Sequence, residues 1–307
     1  MSAGTRPAST LLRLLAFCVL AFSAADARAD LTTKQARKAI TKMPGFELTT
    51  AAVHVQSVTT TSPNTAEATA LVRTVFKFQK NEQEEWQVAE IRVGPDRWEQ
   101  IHLISLALGK AMVSNECIAA DPPSNRPSAT EPSVKRARCL LGSLLGIETP
   151  SDALRIQEVS ELEIPMASQS SAVVVTWVQI AARLANEGKA GWQVSELRSG
   201  KHDWVKLRTL LAALDEAKRQ TARDELGIIA AALEKFRQAR GSYVVSEQEA
   251  VVIDHLSPFF LARIIRLDPW HKPYNYKGDS SRFTLSSSGP DGKEDTPDDL
   301  VVTNPAR

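Results

Sequence analysis

The chain lacks most of the features by which common functions are recognised. It contains no Walker A loop, no GxGxxG fingerprint and no HExxH pair, so the usual nucleotide-binding and zinc-hydrolase motifs are absent. An excess of one charge is also missing, since 37 Lys and Arg stand against 36 Asp and Glu, for a formal net charge of +1. This balance gives no electrostatic argument for nucleic acid as a partner.

Histidine and cysteine are scarce as well. The five histidines are scattered, and none is spaced from Ser and Asp, or from Cys, as a catalytic group would be. We therefore expect no enzymatic activity. What remains, 43% hydrophobic and 24% charged residues over 307 positions, is typical of a globular protein with two or three modest domains.

Residues 1–29 have the pattern of a secretory signal peptide. Arg6 and Arg13 supply a positive start, residues 14–25 supply a short apolar core, and Ala27-Arg28-Ala29 offers an A-x-A cleavage site. The apolar run is shorter than the about 20 residues that a membrane span needs. We expect an exported protein, periplasmic or extracellular, with no integral span after cleavage; an uncleaved anchor is the alternative.

An internal repeat dominates the middle of the chain. The run from Trp86 to Trp98 recurs 106 positions later, from Trp192 to Trp204, with seven of thirteen positions identical. The same offset aligns Val72 with Val178. The segment of strands and helix around these runs has therefore been duplicated, in modules that we place at 30–116 and 134–214.

Each module is predicted to contain a helix, three strands and a second helix. In the first module a helix over 33–43 precedes strands that start near Val53, Ala66 and Trp86, and Trp98 is assigned to the second helix. The predicted fold class is α+β. We expect a curled antiparallel sheet wrapped on helices, of the cystatin-like or NTF2-like kind.

A proline-rich linker at 117–133 separates the modules. Cys117 and Cys139 flank its prolines and are the only cysteines left after signal cleavage. In an oxidising compartment such a pair predicts a disulfide, which would stabilise the fold by about 3 kcal/mol. Two free buried thiols are the alternative.

Both copies carry a Glu and an Arg two residues apart on the third strand, on the face of the first Trp. These sets are Trp86, Glu90 and Arg92 in the first copy, and Trp192, Glu196 and Arg198 in the second. One interpretation is a ligand pocket in each copy. The other is a structural ion pair beneath a packed indole, which a pattern kept in both copies favours.

A long apolar stripe follows the second copy, with i, i+3, i+4 and i+7 spacing and no proline over residues 204–240. One continuous helix of about 55 Å is one interpretation, and a break near Gln220–Arg223 is the other.

The last part of the chain contains an ordered series of motifs. They are Asp268-Pro269-Trp270, Pro273-Tyr274 with Tyr276, Ser287-Ser288-Gly289-Pro290-Asp291-Gly292, and Asp298-Asp299-Leu300. Over about residues 215–302 this series resembles the C-terminal domain of the major pseudopilin of type II secretion systems, the G component. The family's prepilin leader and long apolar first helix are not found at the start of this sequence, so the resemblance supports a borrowed head domain.

The resemblance implies a helix plus a small antiparallel sheet for residues 215–307. It also implies a protein that binds proteins of the cell envelope, as a non-enzymatic accessory component of a secretion or pilus system. The alternative is a small-ligand-binding protein in which each curled sheet encloses one molecule.

An acidic loop within this region carries Asp291, Asp295, Asp298 and Asp299. The family holds one Ca²⁺ at the equivalent loop, so the resemblance implies ligands from Asp291, Asp298, Asp299 and the backbone carbonyl of Ser288, with Asp295 as an additional candidate. The ligand spacing is not that of an EF-hand. An exposed acidic turn without metal is the alternative.

Overall fold

A computed structural model describes residues 30–81, 85–109, 117, 132–147, 154–161, 171–261 and 264–304. Over these residues the chain forms helices α1 (Thr33–Thr41), α2 (Ile101–Leu108), α3 (Val134–Leu145), α4 (Leu207–Arg240) and α5 (Glu249–Leu256). The predicted signal peptide and most of the predicted linker lie outside the described residues. Among the helices described, none combines the length and apolar composition that crossing a bilayer requires.

The strands are β1 (Val53–Ser62), β2 (Thr65–Lys80), β3 (Trp86–Arg92), β4 (Trp98–Gln100), β5 (Leu154–Glu161), β6 (Ser171–Asn186), β7 (Trp192–Ser199), β8 (Val205–Lys206), β9 (Asn275–Gly278), β10 (Phe283–Ser287) and β11 (Leu300–Asn304). The first eight form one antiparallel sheet that curls into a half-barrel, and the last three form a second sheet. The predicted α+β class with a curled antiparallel sheet is confirmed.

The long strands β2 and β6 join the two copies of the repeat. They pair antiparallel along almost their full length, and Val72 lies opposite Val178, its own counterpart in the repeat. A residue lies opposite its own copy only at a local two-fold axis. The two copies are therefore related by an approximate two-fold axis that passes through this pair.

The outer edge of each long strand is covered by strands of its own copy. β1 pairs with residues 65–72 of β2, and β3 pairs with residues 76–80. In the second copy β5 and β7 pair in the same way with residues 172–178 and 180–186 of β6. The two halves of the sheet thus have the same plan.

The prediction of three strands per copy needs a correction, because each copy has a short fourth strand. β4 pairs with β3, and β8 pairs with β7. Trp98 was assigned to a helix, but it lies opposite Arg92 in the β3–β4 hairpin, and α2 begins at Ile101. Trp98 lies three residues before Ile101, a spacing that fits a helix. A single residue at this spacing does not show whether the backbone there is helical or extended.

Local chemistry determines where the first helices of the two copies begin. At the start of α1, Thr32 accepts a hydrogen bond from the Gln35 backbone N–H, and the Gln35 side chain accepts one from the Thr32 N–H. This capping box satisfies two of the backbone donors that a helix start leaves unpaired. Ser133 caps α3 by accepting a hydrogen bond from the backbone N–H of Arg136.

Two hydrophobic cores lie against the large sheet, and residues of both copies build each of them. One contains Phe76 and Trp86 of the first copy with Leu141 of α3. The other contains Ile40 of α1 with Leu184 of β6. Each first helix also contacts a strand of the other copy, α1 on β7 and α3 on β3. Neither copy therefore forms a core by itself.

Helix α4 leaves the large sheet directly after β8 and runs without interruption to Arg240. The interpretation of one continuous helix is confirmed, and its 34 residues give a length of about 50 Å. The helix ends at Gly241, which adopts the left-handed conformation (φ +86°) that glycine tolerates best. The predicted boundary at 214/215 falls inside this helix, so the domain division at that point stays a prediction.

The second half of α4 packs on the small sheet and forms the third core. Leu226 and Leu233 of the helix contact a cluster that includes Tyr274, Tyr276 and Phe283. The Tyr276 hydroxyl donates a hydrogen bond of 2.7 Å to the Val244 carbonyl, and burial raises the Tyr276 pKa to about 12. This core is separate from the two cores of the repeat.

The Asp-Pro-Trp corner is held by the buried side chain of Asp268. One carboxylate oxygen accepts hydrogen bonds from the backbone N–H groups of Trp270 and Lys272, at 3.0 and 2.9 Å. The other accepts a hydrogen bond of 2.5 Å from the Ser287 hydroxyl on β10. The carboxylate thus fixes the turn and ties it to the small sheet.

Candidate functional site

A cavity of about 610 Å³ lies at the junction of the two copies. Val72 and Val178, the pair at the two-fold axis, both line it. Helix α2 and the first turns of α4 are repeat equivalents that contact each other, and they contribute Ile104 and Leu210 to the lining. The cavity therefore belongs to both copies together.

The lining repeats the two-fold relation of the fold. Five pairs of lining residues stand 106 positions apart, namely Val72/Val178, Thr74/Ile180, Ile91/Leu197, Arg92/Arg198 and Ile104/Leu210. One of the two interpretations of the sequence placed a ligand pocket inside each copy. This cavity instead lies between the copies, because the axis brings the centres of β2 and β6 together.

Of the six residues proposed for such pockets, Arg92 and Arg198 line the cavity. The Arg92 side chain donates hydrogen bonds to the carbonyls of Gly94 and Pro95. The Arg198 guanidinium lies 4.6 Å from the ring centre of Trp204, in a cation–π contact. Backbone carbonyls and an indole ring carry no negative charge, so these contacts do not neutralise the positive charge of Arg92 or Arg198.

The two glutamates pair with basic residues on the neighbouring long strand. Glu90 lies 3.2 Å from Lys77, which is opposite it in the β2–β3 register. Glu196 lies 2.7 Å from Arg183, its opposite residue on β6. Lys77 and Arg183 are themselves 106 positions apart. In each copy the glutamate therefore pairs with a basic residue on the neighbouring strand. Arg92 and Arg198, two positions after the glutamates, are not part of these ion pairs.

The two tryptophans of the predicted pocket sets lie against the cores. Trp86 is buried in the first core, with the Lys80 ammonium 5.6 Å from its ring centre. Trp192 packs against the second core. In these positions their main contribution is to the packing of the sheet.

Glu90 has a third neighbour that the sequence did not indicate. His271, in the corner after Trp270, places its Nε2 3.8 Å from Glu90 Oε1. Burial raises the pKa of Glu90, but the contacts with His271 and Lys77 outweigh it, so the net pKa lies below the ordinary value. The C-terminal region thus docks on the first copy at an ionised carboxylate.

Lys218 and Glu99 make a second contact of this kind. Lys218 is buried on α4, and its Nζ lies 2.6 Å from a carboxylate oxygen of Glu99 on β4. Both contacts join residues that are more than 100 positions apart, for which the sequence carries no signal. The pairing of Lys77 and Arg183 with the glutamates did have a signal, since the repeat offset aligns them.

The acidic loop gathers three carboxylates around the Thr296 hydroxyl. Thr296 Oγ1 lies 2.8 Å from Asp298 Oδ1, 3.1 Å from Asp299 Oδ1 and 3.4 Å from Asp291 Oδ1. A hydroxyl has one proton to donate. Three anionic oxygens thus converge on a point where only one of them can receive a hydrogen bond from Thr296.

Backbone groups hold the other oxygens of two of these carboxylates. Asp298 Oδ2 accepts from the Asp291 N–H at 3.2 Å, and Asp299 Oδ2 accepts from the Asp295 N–H at 2.8 Å. Hydrogen bonds from Thr296 and the Asp291 N–H lower the pKa of Asp298, so it is ionised at neutral pH. The loop is therefore pre-arranged and negatively charged.

The turn that contains Ser288 lies beside these carboxylates. Gly289 has a left-handed backbone (φ +59°), and a Cβ there would meet the Asp298 carbonyl oxygen at 2.5 Å. Within the described part of the chain, no three His, Cys, Asp or Glu side chains already have the arrangement of a metal site. The oxygen donors are nevertheless of the type that Ca²⁺ prefers.

The predicted disulfide is present, since Cys117 and Cys139 are bonded to each other. Cys117 is buried in the first core, and its carbonyl accepts a hydrogen bond of 2.9 Å from the buried Arg136 side chain. Both contacts fasten the residue to α3 of the second copy. The disulfide therefore ties the end of the first copy to the first helix of the second.

Large exposed apolar side chains are concentrated in the C-terminal region of the described chain. They are Ile228, Val245, Phe259, Ile264, Leu267 and Val301, whereas Leu106 and Val134 lie in the repeat. Phe259 is 88% exposed, the highest fraction in this set. Exposed aromatic side chains are frequent anchors of protein interfaces, so this region is the better candidate for contact with a partner.

Comparison with known proteins agrees with the motif series at the end of the chain. Residues 209–304 match the model of the family described as type II secretion system (T2SS), protein G. No curated protein and no solved structure matches the chain. About a third of the chain, from the start of α4 to the end of β11, is therefore similar to the pseudopilin family of type II secretion.

Proposed function

We propose that the protein is exported and serves as a non-enzymatic accessory component of a secretion or pilus system, where it binds other proteins of the cell envelope. The observation that carries this proposal is the match of residues 209–304 to the type II secretion protein G family. Members of this family are structural parts of the secretion apparatus. Contact with proteins is therefore the activity that the domain supports best.

The connection between the two parts of the molecule supports an adaptor. In the family the head domain continues toward the N-terminus as an apolar helix that packs into a filament. Here α4 instead joins the head domain to the large sheet, and the contacts Glu90–His271 and Glu99–Lys218 add a second attachment. The repeat sheet thus contacts the secretion-type domain through side chains as well as through the backbone of α4.

Affinity capture tests the proposal directly. The full chain, produced in its native envelope and isolated from envelope extracts, is expected to bring down components of a secretion or pilus system, identified by mass spectrometry. Phe259→Asp should remove these partners, because a charge at an interface anchor is costly to bury. Leu106→Asp is the matched control, since Leu106 is 64% exposed but lies on α2.

Two outcomes would count against it. If the unmodified chain brings down no secretion or pilus component, the proposed function is wrong. If Phe259→Asp retains the same partners as Leu106→Asp, the function stands but the binding surface lies elsewhere.

We also propose that the acidic loop binds one Ca²⁺ through Asp291, Asp298, Asp299 and the Ser288 carbonyl, with Asp295 as an additional candidate. The convergence of three carboxylate oxygens on Thr296 supports this assignment. A hard divalent cation would remove the repulsion among them. The ion would stabilise the loop that closes the small sheet between β10 and β11.

Calcium should therefore raise the melting temperature of the full chain relative to chelator. At ten times the dissociation constant the added stability is about 1.4 kcal/mol by mass action. Asp298→Ala should abolish the response, while Asp279→Ala, in the turn between β9 and β10, should retain it. Equal melting of the unmodified chain with calcium and with chelator, across a millimolar titration, would show a plain acidic turn.

A further inference from the structure

The cavity at the two-fold axis has an apolar interior and a basic rim. Its inner lining is aliphatic, with Val72, Val178, Ile104 and Leu210 among its residues. A volume of about 610 Å³ lies within the range of small-molecule sites, about 300–1,000 Å³. The interior can therefore bury an apolar group of a small ligand.

The charged lining residues are mostly basic. Arg73, Arg92, Arg198 and Lys206 stand against a single carboxylate, Asp203. Within the described part of the chain, none of these four cations forms an ion pair with a carboxylate. Arg73, Arg92 and Lys206 are exposed, so their charge lies where the cavity meets solvent. In a chain of net charge +1 this local excess is not a consequence of composition.

We propose that this cavity binds one fatty-acid-like molecule, an amphipathic anion whose apolar chain lies between the two copies and whose carboxylate pairs with Arg92 or with its repeat equivalent Arg198. The two arginines are repeat equivalents, so they flank the axis from opposite sides. Guanidinium groups match the planar geometry of a carboxylate. A single shared cavity also predicts one ligand for each chain, where a pocket in each copy would predict two.

Isothermal titration of the full chain with palmitate is the test. We expect saturable binding of one palmitate per chain, weaker binding of hexadecanol, which lacks the charge, and no binding of acetate, which lacks the chain. The double variant Arg92→Gln/Arg198→Gln should weaken palmitate binding about tenfold and leave hexadecanol unchanged. Arg266→Gln/Arg282→Gln is the control for loss of two positive charges away from the cavity, since it removes a half-buried and an exposed arginine of the C-terminal region.

Filling the cavity provides an independent test of location. Ile104→Trp and its repeat equivalent Leu210→Trp should each abolish palmitate binding. If Ile104→Trp melts at a markedly lower temperature than the unmodified chain, Ile104→Phe is tested in its place, because the smaller ring should disturb the packing of α2 on α4 less.

Several results would overturn the proposal. They are no saturable binding of palmitate, two molecules per chain, or equal loss of affinity in the two double arginine variants. Palmitate binding that survives in every folded cavity-filling variant would equally overturn it. All of these readouts are independent of protein capture, so the proposal can fail while the proposed secretion role stands.

Discussion

The two copies of the repeat differ most where they meet the C-terminal region. Both carry the cross-strand pair of a long strand with the next strand, Lys77–Glu90 in the first copy and Arg183–Glu196 in the second. Glu90 has His271 as an additional neighbour, whereas Glu196 has no such histidine neighbour among the described residues. The first copy therefore supplies docking contacts, whereas the second is joined to the C-terminal region by the backbone of α4.

This difference shows which part of a duplicated unit is free to diverge. Of the pairs that line the shared cavity, Val72/Val178 and Arg92/Arg198 keep the same residue type, whereas Thr74/Ile180 does not. Residues at the outer strands meet different neighbours. Glu99 of β4 binds Lys218, whereas its counterpart in the second copy is Val205.

The buried pair Glu99–Lys218 is expected to have the largest effect on stability. Lys218→Ala leaves the Glu99 carboxylate without its partner, which should cost about 3 kcal/mol of unfolding free energy. The control Glu99→Leu/Lys218→Met removes both charges and should lie within about 1 kcal/mol of the unmodified chain. Urea unfolding of both variants checks this, and equal losses in the two would show that the charges contribute only packing.

The disulfide distinguishes the two cores of the repeat, since it lies in the first. Cys117→Ser/Cys139→Ser should lower the unfolding free energy by about 3 kcal/mol in the chain-entropy model for a separation of 22 residues. The second core contains neither cysteine. Exchange through global unfolding should therefore accelerate in both cores, and amides near Leu141 should in addition open locally faster than those near Ile40. Equal acceleration in both cores would show that the bond acts only through the unfolded state.

The equivalent glutamates should differ in their contribution to stability. Side chains of the Lys77–Glu90 pair are 18% and 16% exposed, and Arg183 is 47% exposed. Glu90→Gln should thus cost about 1–2 kcal/mol, and Glu196→Gln under about 1 kcal/mol. Double-mutant cycles with Lys77→Met and Arg183→Met measure the two couplings, and equal values would remove the distinction between the copies.

The same pair predicts a dependence on pH. Because the folded pKa of Glu90 is lowered, its contribution is present above the unfolded pKa of about 4.3 and is lost as the pH falls through the folded value. The difference in unfolding free energy between the unmodified chain and Glu90→Gln should shrink as the pH falls below about 4. A difference that grows on acidification would contradict the sign.

His271 is expected to give the smallest effect on stability. It has a left-handed backbone (φ +63°), and His271→Gly would relieve that strain while losing the Glu90 contact. The two changes oppose each other, so the net change should stay within about 0.5 kcal/mol. The coupling between positions 90 and 271 in a double-mutant cycle should still be measurable, and its absence would remove the docking role.

The sequence predicted features that depend on local pattern or on the repeat. The α+β class and the Cys117–Cys139 bond follow from period and the number of cysteines. A continuous α4 was one of the two interpretations that its proline-free apolar stripe allowed. The short strands β4 and β8 were missed because two or three residues carry no period of their own. A helix and a strand are equally compatible with such a fragment.

Contacts between distant segments could not be predicted. The alignment of Val72 with Val178 was visible in the sequence, but only the fold shows that these residues lie opposite each other and line one cavity shared by the two copies. Glu90 was a candidate from the start, yet its neighbour His271 lies far along the chain. Of the acidic loop, the sequence indicated the carboxylates but not the central position of Thr296.

Site-specific photo-crosslinking at Phe259 tests the central claim, which is that the secretion-type domain joined to the repeat presents a surface for a protein partner. A photoreactive phenylalanine would be placed at Phe259, with the same group at Leu106 as the matched control, in the full chain in its native envelope. The account predicts adducts with a secretion or pilus component at position 259 and none at position 106. No adduct with such a component at position 259, or the same adducts at both positions, would contradict it.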